Sequence, residues 1–468
     1  MALLTRRNLL KATAVAGAYG AGVGFAGRFG SAQAAGDPTL LEAVMREAAI
    51  TGNAATQGVL TYQASLPGAG VMPPALRLKR GEPFAAQLKN SIDEPTTIHW
   101  HGMRIDNAMD GVPFLTQPYV YPGDTFDYRF TPPDAGTFWY HPHCNTLTQM
   151  GHGLTGLLIV EDPKDPVFDA EIALNLRDWR LGGNGQFIEQ FKARDAAKAG
   201  TYGTVRTANW QVEPVYDAPA GGLVRVRIAV TDVTRIYNLQ LEGADALIVA
   251  IDGQPVPVAM PLDFAVVSPG QRLDLVVRMP DSEGTVVQLE DIRPSTPKTV
   301  ASFRSIGASL RRSLDDVPPL APNPPVEADL SSATEIPLVL SATAENAAKD
   351  SICGSLGYSF WAINKKPWPG DTEDPTAPIA ELKLGQTYLL NLENVTPHAH
   401  PIHLHGMNFQ VVSSSTRQVL PLVSDTYLIL PDEKVQLALV ADNPGDWVFH
   451  CHIIEHQKTG MTGYLRVA

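Results

Sequence analysis

Ten of the twelve histidines in this chain fall into four short clusters, and those clusters sit in two widely separated parts of the sequence. They are His99-Trp100-His101, His141-Pro142-His143, His400-Pro401-Ile402-His403-Leu404-His405, and His450-Cys451-His452 followed by His456. Any fold that lets these imidazoles cooperate must bring both ends of the chain together. Trp447-Val448-Phe449 favours a strand running into the last cluster, so His450 and His452 point one way and Cys451 the other. One strand end can therefore serve two sites, one on each face. A single His-x-His pair is an ordinary coincidence, but four in a chain otherwise almost free of histidine are not. Imidazole suits copper, iron, nickel and zinc alike. Cys451 between two histidines, with His456 and Met461 downstream, adds thiolate and soft thioether, and that donor set selects electron-transfer copper.

The clusters lie in a repeated frame. Gly81, Asn90 and His99 are spaced nine and nine, as are Gly385, Asn394 and His403. Pro122-Gly123-Asp124 begins nineteen residues before His141, and Pro431-Asp432-Glu433 begins nineteen before His450. Alternation in Thr125-Phe126-Asp127-Tyr128-Arg129-Phe130 and in Val435-Gln436-Leu437-Ala438-Leu439 reads as strand. Two copies of one β-domain, first and last, explain this economically. A third copy of the turn and strand occurs at Ser268-Pro269-Gly270-Gln271-Arg272-Leu273-Asp274-Leu275, but no histidine lies between His152 and His398. The middle copy reads as a metal-free spacer that can shape the surface around the outer pair. The Pro-rich run from Val317 to Pro325 marks a linker into the last domain, and Glu161-Asp162-Pro163 marks the earlier boundary. With 38 Pro and 39 Gly, many turns are expected, which favours an all-β chain.

The four clusters resemble the copper motifs of the multicopper oxidases, the family of laccases, ascorbate oxidase, bilirubin oxidase and bacterial cuprous oxidases. The resemblance runs from about residue 55 to the end. It implies three cupredoxin-like Greek-key β-sandwich domains, with expected spans 50–162, 163–325 and 326–468. It also implies four copper ions. His400, Cys451 and His456 would hold a type 1 copper with Met461 axial, and His99 and His403 a type 2 copper. His101, His141 and His452 would hold one type 3 copper, and His143, His405 and His450 the other. Electrons from a small reducing substrate would enter near His456, pass Cys451, and reduce O2 to water at the three-copper cluster. Asp110, in Met109-Asp110-Gly111, matches the acidic residue that the family places beside the type 2 copper as proton donor or orienter. A second acid common after the type 1 histidine is replaced here by Gln457, which cannot titrate. Glu455 and Asp425 are candidates only for orienting ligands. His398 would rim the substrate pocket or be an ordinary loop residue, and His152 reads as structural.

Two donors compete. A laccase-like enzyme would oxidise phenols or aromatic amines, whereas a periplasmic cuprous oxidase would oxidise Cu(I). The ten methionines are scattered, and Val395-Thr396-Pro397-His398-Ala399 offers no Met or carboxylate for Cu(I), which favours the laccase-like reading. A non-enzymatic scaffold of the same fold, or a copper store, would have no use for a cysteine flanked by histidines. A two-domain nitrite reductase would lack the paired histidines around the cysteine.

Residues 1–34 stand apart. Thr5-Arg6-Arg7-Asn8-Leu9-Leu10-Lys11, an Ala/Gly-rich stretch from Ala12 to Gly27, and Ala32-Gln33-Ala34 read as a twin-arginine signal peptide, implying the twin-arginine export machinery as partner and a bacterial periplasmic or extracytoplasmic home. Removing its four basic residues takes the net charge from −13 to −17 (−13 minus 4). An acidic surface disfavours nucleic acid, and no later stretch is apolar enough to insert stably into a membrane. If Cys451 is a ligand, Cys144 and Cys353 remain; they could pair in an oxidising compartment, but two buried free thiols are the favoured expectation. Replacing Cys451 with Ser is expected to abolish both blue absorption and O2-coupled turnover. Turnover surviving in Cys451→Ser would show that the cysteine is not the electron entry.

Overall fold

The computed structural model describes residues 38–468, apart from 53, 65–70, 326, 343–352, 354 and 371–376. The N-terminal leader therefore lies outside the described residues. The described chain forms six sheets, which pair in sequence order into three sandwiches. Each has its own buried core: one around Tyr62, Trp100 and Tyr140, one around Val226, Tyr237 and Leu275, and one around Trp447, Phe449 and Leu437. Among the described residues, no helix is long and apolar enough to cross a membrane.

A shared plan is visible in the pairing. In each sandwich two strands run parallel within one sheet: Thr39–Ala48 beside Phe84–Asn90, Ala170–Trp179 beside Leu223–Val230, and Thr334–Ala342 beside Thr387–Asn394. The first sandwich thus begins at Thr39, ahead of the boundary at 50 expected from sequence. Leu41 and Ala43, on one face of the strand to either side of Glu42, are fully buried in its core, which is why this strand belongs there.

The sequence repeat is also a repeat of hydrogen bonds. Asn90 Nδ2 donates to the carbonyls of Glu94 and Val120, and its Oδ1 accepts from the backbone of Ile92. Asn394 Nδ2 donates to the carbonyls of His398 and Leu430, and its Oδ1 accepts from the backbone of Thr396. Each buried amide ties the end of one strand to the approach of the histidine strand that follows. Its loss would leave buried backbone groups without partners.

Cys144 and Cys353 are bonded to each other, correcting the expectation of two free thiols. Their Cα atoms lie 4.7 Å apart although 209 residues separate them, so spacing alone gave no sign of the bond. The bridge ties the residue after His143 to the last sandwich, where the Cys353 carbonyl accepts from Asn145 N and Lys458 Nζ. We expect the double variant Cys144→Ser/Cys353→Ser, studied copper-free, to lose about 2–4 kcal/mol, read as a lower denaturant midpoint. An unchanged midpoint would mean that the loops are held by packing alone.

Candidate metal centre

Two antiparallel strand pairs carry most of the histidines. His99–His101 pairs with Gly136–His141, setting His99 opposite His141, and His400–Leu404 pairs with Gly445–Cys451, setting His403 opposite His450. His99 and His101 share a face while Trp100 between them enters the first core. Likewise Cys451 turns into the last core with Met461, away from His450 and His452. His143, His405 and His452 lie just beyond their strand ends, and His456 sits on the short helix Ile454–Lys458.

The structure brings eight of these imidazoles into one cluster between the first and last sandwiches. His99 stacks on His405 and His101 on His403, both with ring centroids 3.8 Å apart. His141 and His101 lie 5.5 and 5.0 Å from His452, and His143 lies 5.0 and 5.4 Å from His405 and His450. On the other face of the Gly445–Cys451 strand, Cys451 Sγ is 3.7 Å from His400 Nδ1 and 3.6 Å from His456 Nδ1. All ten histidines and the cysteine are buried.

Which ring nitrogen faces inward is fixed by what holds the other. Nδ1–H of His99 donates to the Asp110 carbonyl, that of His141 to the Pro142 carbonyl, and that of His403 to the Asp425 carbonyl. In each the remaining Nε2 is buried without any partner, as are Nε2 of His143, Nδ1 of His101 and both ring nitrogens of His452. His405 Nδ1–H donates to Asp110 Oδ2 (2.9 Å) and His450 Nδ1–H to the Cys451 carbonyl (2.9 Å). Their Nε2 lone pairs then face each other at 3.2 Å. At the second site His456 Nε2–H donates to the Lys198 carbonyl. Thr396 Oγ1 donates to Asn394 Oδ1, so it accepts from His400 Nε2–H (2.8 Å). The two Nδ1 lone pairs therefore oppose each other at 3.0 Å. Opposed acceptors and orphaned buried nitrogens are costly unless a cation lies between them, and two such sites fit metal ions.

Burial reinforces this. Desolvation pushes the pKa of His450 and His456 down to about 3, and those of His101, His141, His143, His400, His405 and His452 well below the ordinary imidazole value, with neighbouring imidazoles adding to the shift in most of them. Neutral imidazole is the ligand form. Burial pushes the Cys451 thiol up, against a hydrogen bond from the Ile453 backbone.

Asp110 is buried with Oδ1 3.2 Å from His99 Nδ1 and Oδ2 on His405 Nδ1, so it touches a histidine from each outer sandwich. Asp425 Oδ1 lies 3.3 Å from His403 Nδ1 and 3.5 Å from His101 Nε2. Burial raises its pKa, but the Arg272 guanidinium and His403 outweigh that and hold it well below the usual carboxylate range. Glu455 instead anchors the helix, accepting from Thr201 and lying 3.5 Å from Arg180. His398 is half-buried at the edge of Trp361, and His152 stacks on Phe187 while donating to the Gly58 carbonyl. Sequence reasoning missed what the middle sandwich contributes: the Lys198 carbonyl on His456, the Ala196 carbonyl on Trp361 Nε1, and Arg272 on Asp425. Backbone carbonyls leave no mark in a sequence. Arg272 lay in a recognised repeat, but the histidine-free segment around it was read as a spacer.

Comparison with known proteins agrees with this geometry. Signatures of the multicopper oxidase family match residues 45–165 and 336–468. The chain is 37% identical to the crystal structure of a multicopper oxidase from Pseudomonas thermotolerans, with a TM-score of 0.81 over 92% of this chain and 98% of that one. It is 29% identical to the multicopper oxidase MmcO of Mycobacterium tuberculosis, over 86% of this chain and 82% of that protein. It is 26% identical to Laccase-2 of Fomitopsis schrenkii, over 85% of each.

At pH 7 the imidazoles with depressed pKa are neutral and the Cys451 thiol is protonated, so copper uptake by the copper-free chain should expel about one proton, from Cys451. Calorimetry in two buffers of different ionisation enthalpy measures it, and release of several protons would show that the histidines start out charged. The two matched signatures, the extent of the structural likeness and the donor geometry place the chain in the multicopper oxidase family, an oxidoreductase that uses copper and O2.

Proposed function

We propose that the chain is a laccase-like, extracytoplasmic oxidase that takes single electrons from phenols or aromatic amines and reduces O2 to water. His400, Cys451 and His456, with Met461 behind them, are the proposed type 1 ligands. The cluster would take three further ions: His99 and His403 for type 2, His101, His141 and His452 for one type 3 ion, and His143, His405 and His450 for the other. The opposed lone pairs at both sites carry this reading, because no protein proton is left to lie between them. Copper bound there would supply one-electron redox chemistry at Cys451, and the four ions of the two sites together would supply the four electrons that take O2 to water.

The chain's own residues account for the rest. Cys451 is joined covalently to His450 and His452, and the hydrogen bond from His450 Nδ1 to the Cys451 carbonyl gives a second contact along the same route. Asp110 holds a carboxylate oxygen against the Nδ1–H of both His99 and His405, where it fixes the two rings and can relay a proton at the cluster edge. Gln457 keeps its Oε1 buried without a partner and carries no exchangeable charge. At the donor side His456 is buried beneath the Lys198 carbonyl and Trp361, whose ring lies 4.6 Å away. A reductant therefore delivers its electron across this cover rather than by touching the imidazole.

Support for an organic donor comes from the surroundings of the type 1 ligands. Met279 and Met407 bracket a stretch without methionine that leads up to His400. Among the described residues, the type 1 ligands gather no further Cys, His or carboxylate into a second metal group. Support for export comes from the twin-arginine pattern at Arg6 and Arg7 and from the Cys144–Cys353 bond, which suits an oxidising compartment.

Oxygen uptake by the copper-loaded protein, with a methoxyphenol compared against Cu(I) as donor, tests the proposal. Faster uptake with the phenol is the expected result. Uptake driven mainly by Cu(I) would overturn the substrate assignment while leaving the O2 chemistry in place.

A further inference from the structure

The metal-free middle sandwich repeats the turn that precedes a histidine strand in the outer two, yet it buries what they expose. Pro122-Gly123-Asp124 and Pro431-Asp432 are exposed, whereas Ser268-Pro269-Gly270 is buried. Gly270 adopts φ +89, and a Cβ there would fall 2.9 Å from His452 Cδ2 and 3.2 Å from His101 Cε1. The turn therefore closes directly over the histidine cluster, and a side chain at 270 would displace two of its rings.

Arg272 follows that turn and is fully buried. Its guanidinium meets the Asp425 carboxylate through both terminal nitrogens, Nη1 donating to Oδ1 at 2.8 Å and Nη2 to Oδ2. Two further donors are taken up around the pair: Nε by the Thr137 carbonyl of the first sandwich and Nη1 by the Gly270 carbonyl. Asp252 accepts from the Arg272 backbone at 2.8 Å and from Ser424 Oγ at 2.6 Å, fixing the arginine's root to the residue next to Asp425. Gly102, next to His101, makes room: its Cβ would lie 2.4 Å from Arg272 Nη2 and 2.8 Å from Asp425 Oδ2. All three sandwiches thus meet at one ion pair. Its carboxylate faces His101 and His403, which stack on each other.

We infer that Arg272 is a positioning residue for the copper cluster: by locking Asp425 in a two-point grip it sets the ring orientation of His101 and His403. The middle sandwich is then a working wall of the oxygen-reducing site rather than a spacer. Planar, two-point recognition of a carboxylate is specific to arginine, so lysine would keep the charge and lose the alignment. The inference rests on the reading of the histidine cluster as a three-copper site.

The test uses the copper-loaded full chain with Arg272→Gln and Arg272→Lys beside the unsubstituted protein. Blue absorption, copper content, the electron paramagnetic resonance of the type 2 ion and the thermal midpoint are all read. Both variants should keep the blue absorption, because His400, Cys451 and His456 do not touch this pair. The type 2 hyperfine pattern should shift, and copper affinity of the cluster should fall about 10–100-fold in Arg272→Gln and less in Arg272→Lys. Should Arg272→Gln not fold, the shifted type 2 pattern of Arg272→Lys decides alone. A type 2 signal identical to that of the unsubstituted protein would overturn the inference, as would blue and type 2 signals lost together in step with the thermal midpoint. Absence of any type 2 signal in the unsubstituted protein would overturn the three-copper reading itself.

Discussion

Two pairs of imidazole nitrogens face each other across about a hydrogen bond's length, and neither pair has a proton to share. The protein creates this conflict deliberately, by using up the opposite nitrogen of each ring on a carbonyl, hydroxyl or carboxylate: Lys198 and Thr396 at one site, Asp110 and Cys451 at the other. Buried away from water, such lone pairs cannot relax by taking up a proton cheaply. A cation relieves the conflict, and its binding free energy is then stored in the fold. The outward hydrogen bonds therefore do more than hold rings still. They make the unliganded arrangement unfavourable and the liganded one favourable.

That arrangement needs walls from every part of the chain. The duplicated Asn90 and Asn394 amides set the two histidine strands in equivalent positions, so the cluster can form where two copies of one motif face each other. The third copy carries no histidines but packs against those of the other two. It delivers the covering carbonyls at His456 and Trp361, and at the histidine cluster a glycine turn and a buried guanidinium. Glycine at 102 and 270 is required there by close approach, not by chain flexibility.

Much of this was legible in the sequence because side-chain alternation on a strand is rigid. His450, Cys451 and His452 could be assigned to opposite faces before any coordinates, and the spacing of Gly81, Asn90 and His99 against Gly385, Asn394 and His403 exposed the duplication. Thr39–Ala48 pairs antiparallel with Thr56–Ala64, but its place in the sandwich was missed because its other neighbour runs parallel to it and begins 45 positions after its own start, with no turn signal joining those two. The Cys144–Cys353 bond was missed because chain separation carries no information on Cα distance. Contacts made by backbone atoms, such as Lys198 to His456, are invisible to any argument from residue type.

The two sites differ sharply in how far apart their ligands lie along the chain. His400, Cys451 and His456 all belong to one sandwich and sit within 56 residues of each other. The cluster joins His99 to His405 and His101 to His452, contacts that close loops of more than 300 residues. Closing loops of that length costs chain entropy before the contacts reward it, so these contacts come late in folding. The three donors His400, Cys451 and His456 can consequently come together within the last sandwich, although the Lys198 carbonyl that orients His456 arrives only with the middle one, whereas the histidine cluster exists only once the first and last sandwiches have docked. The two donor sets are thereby separated in assembly as well as in space.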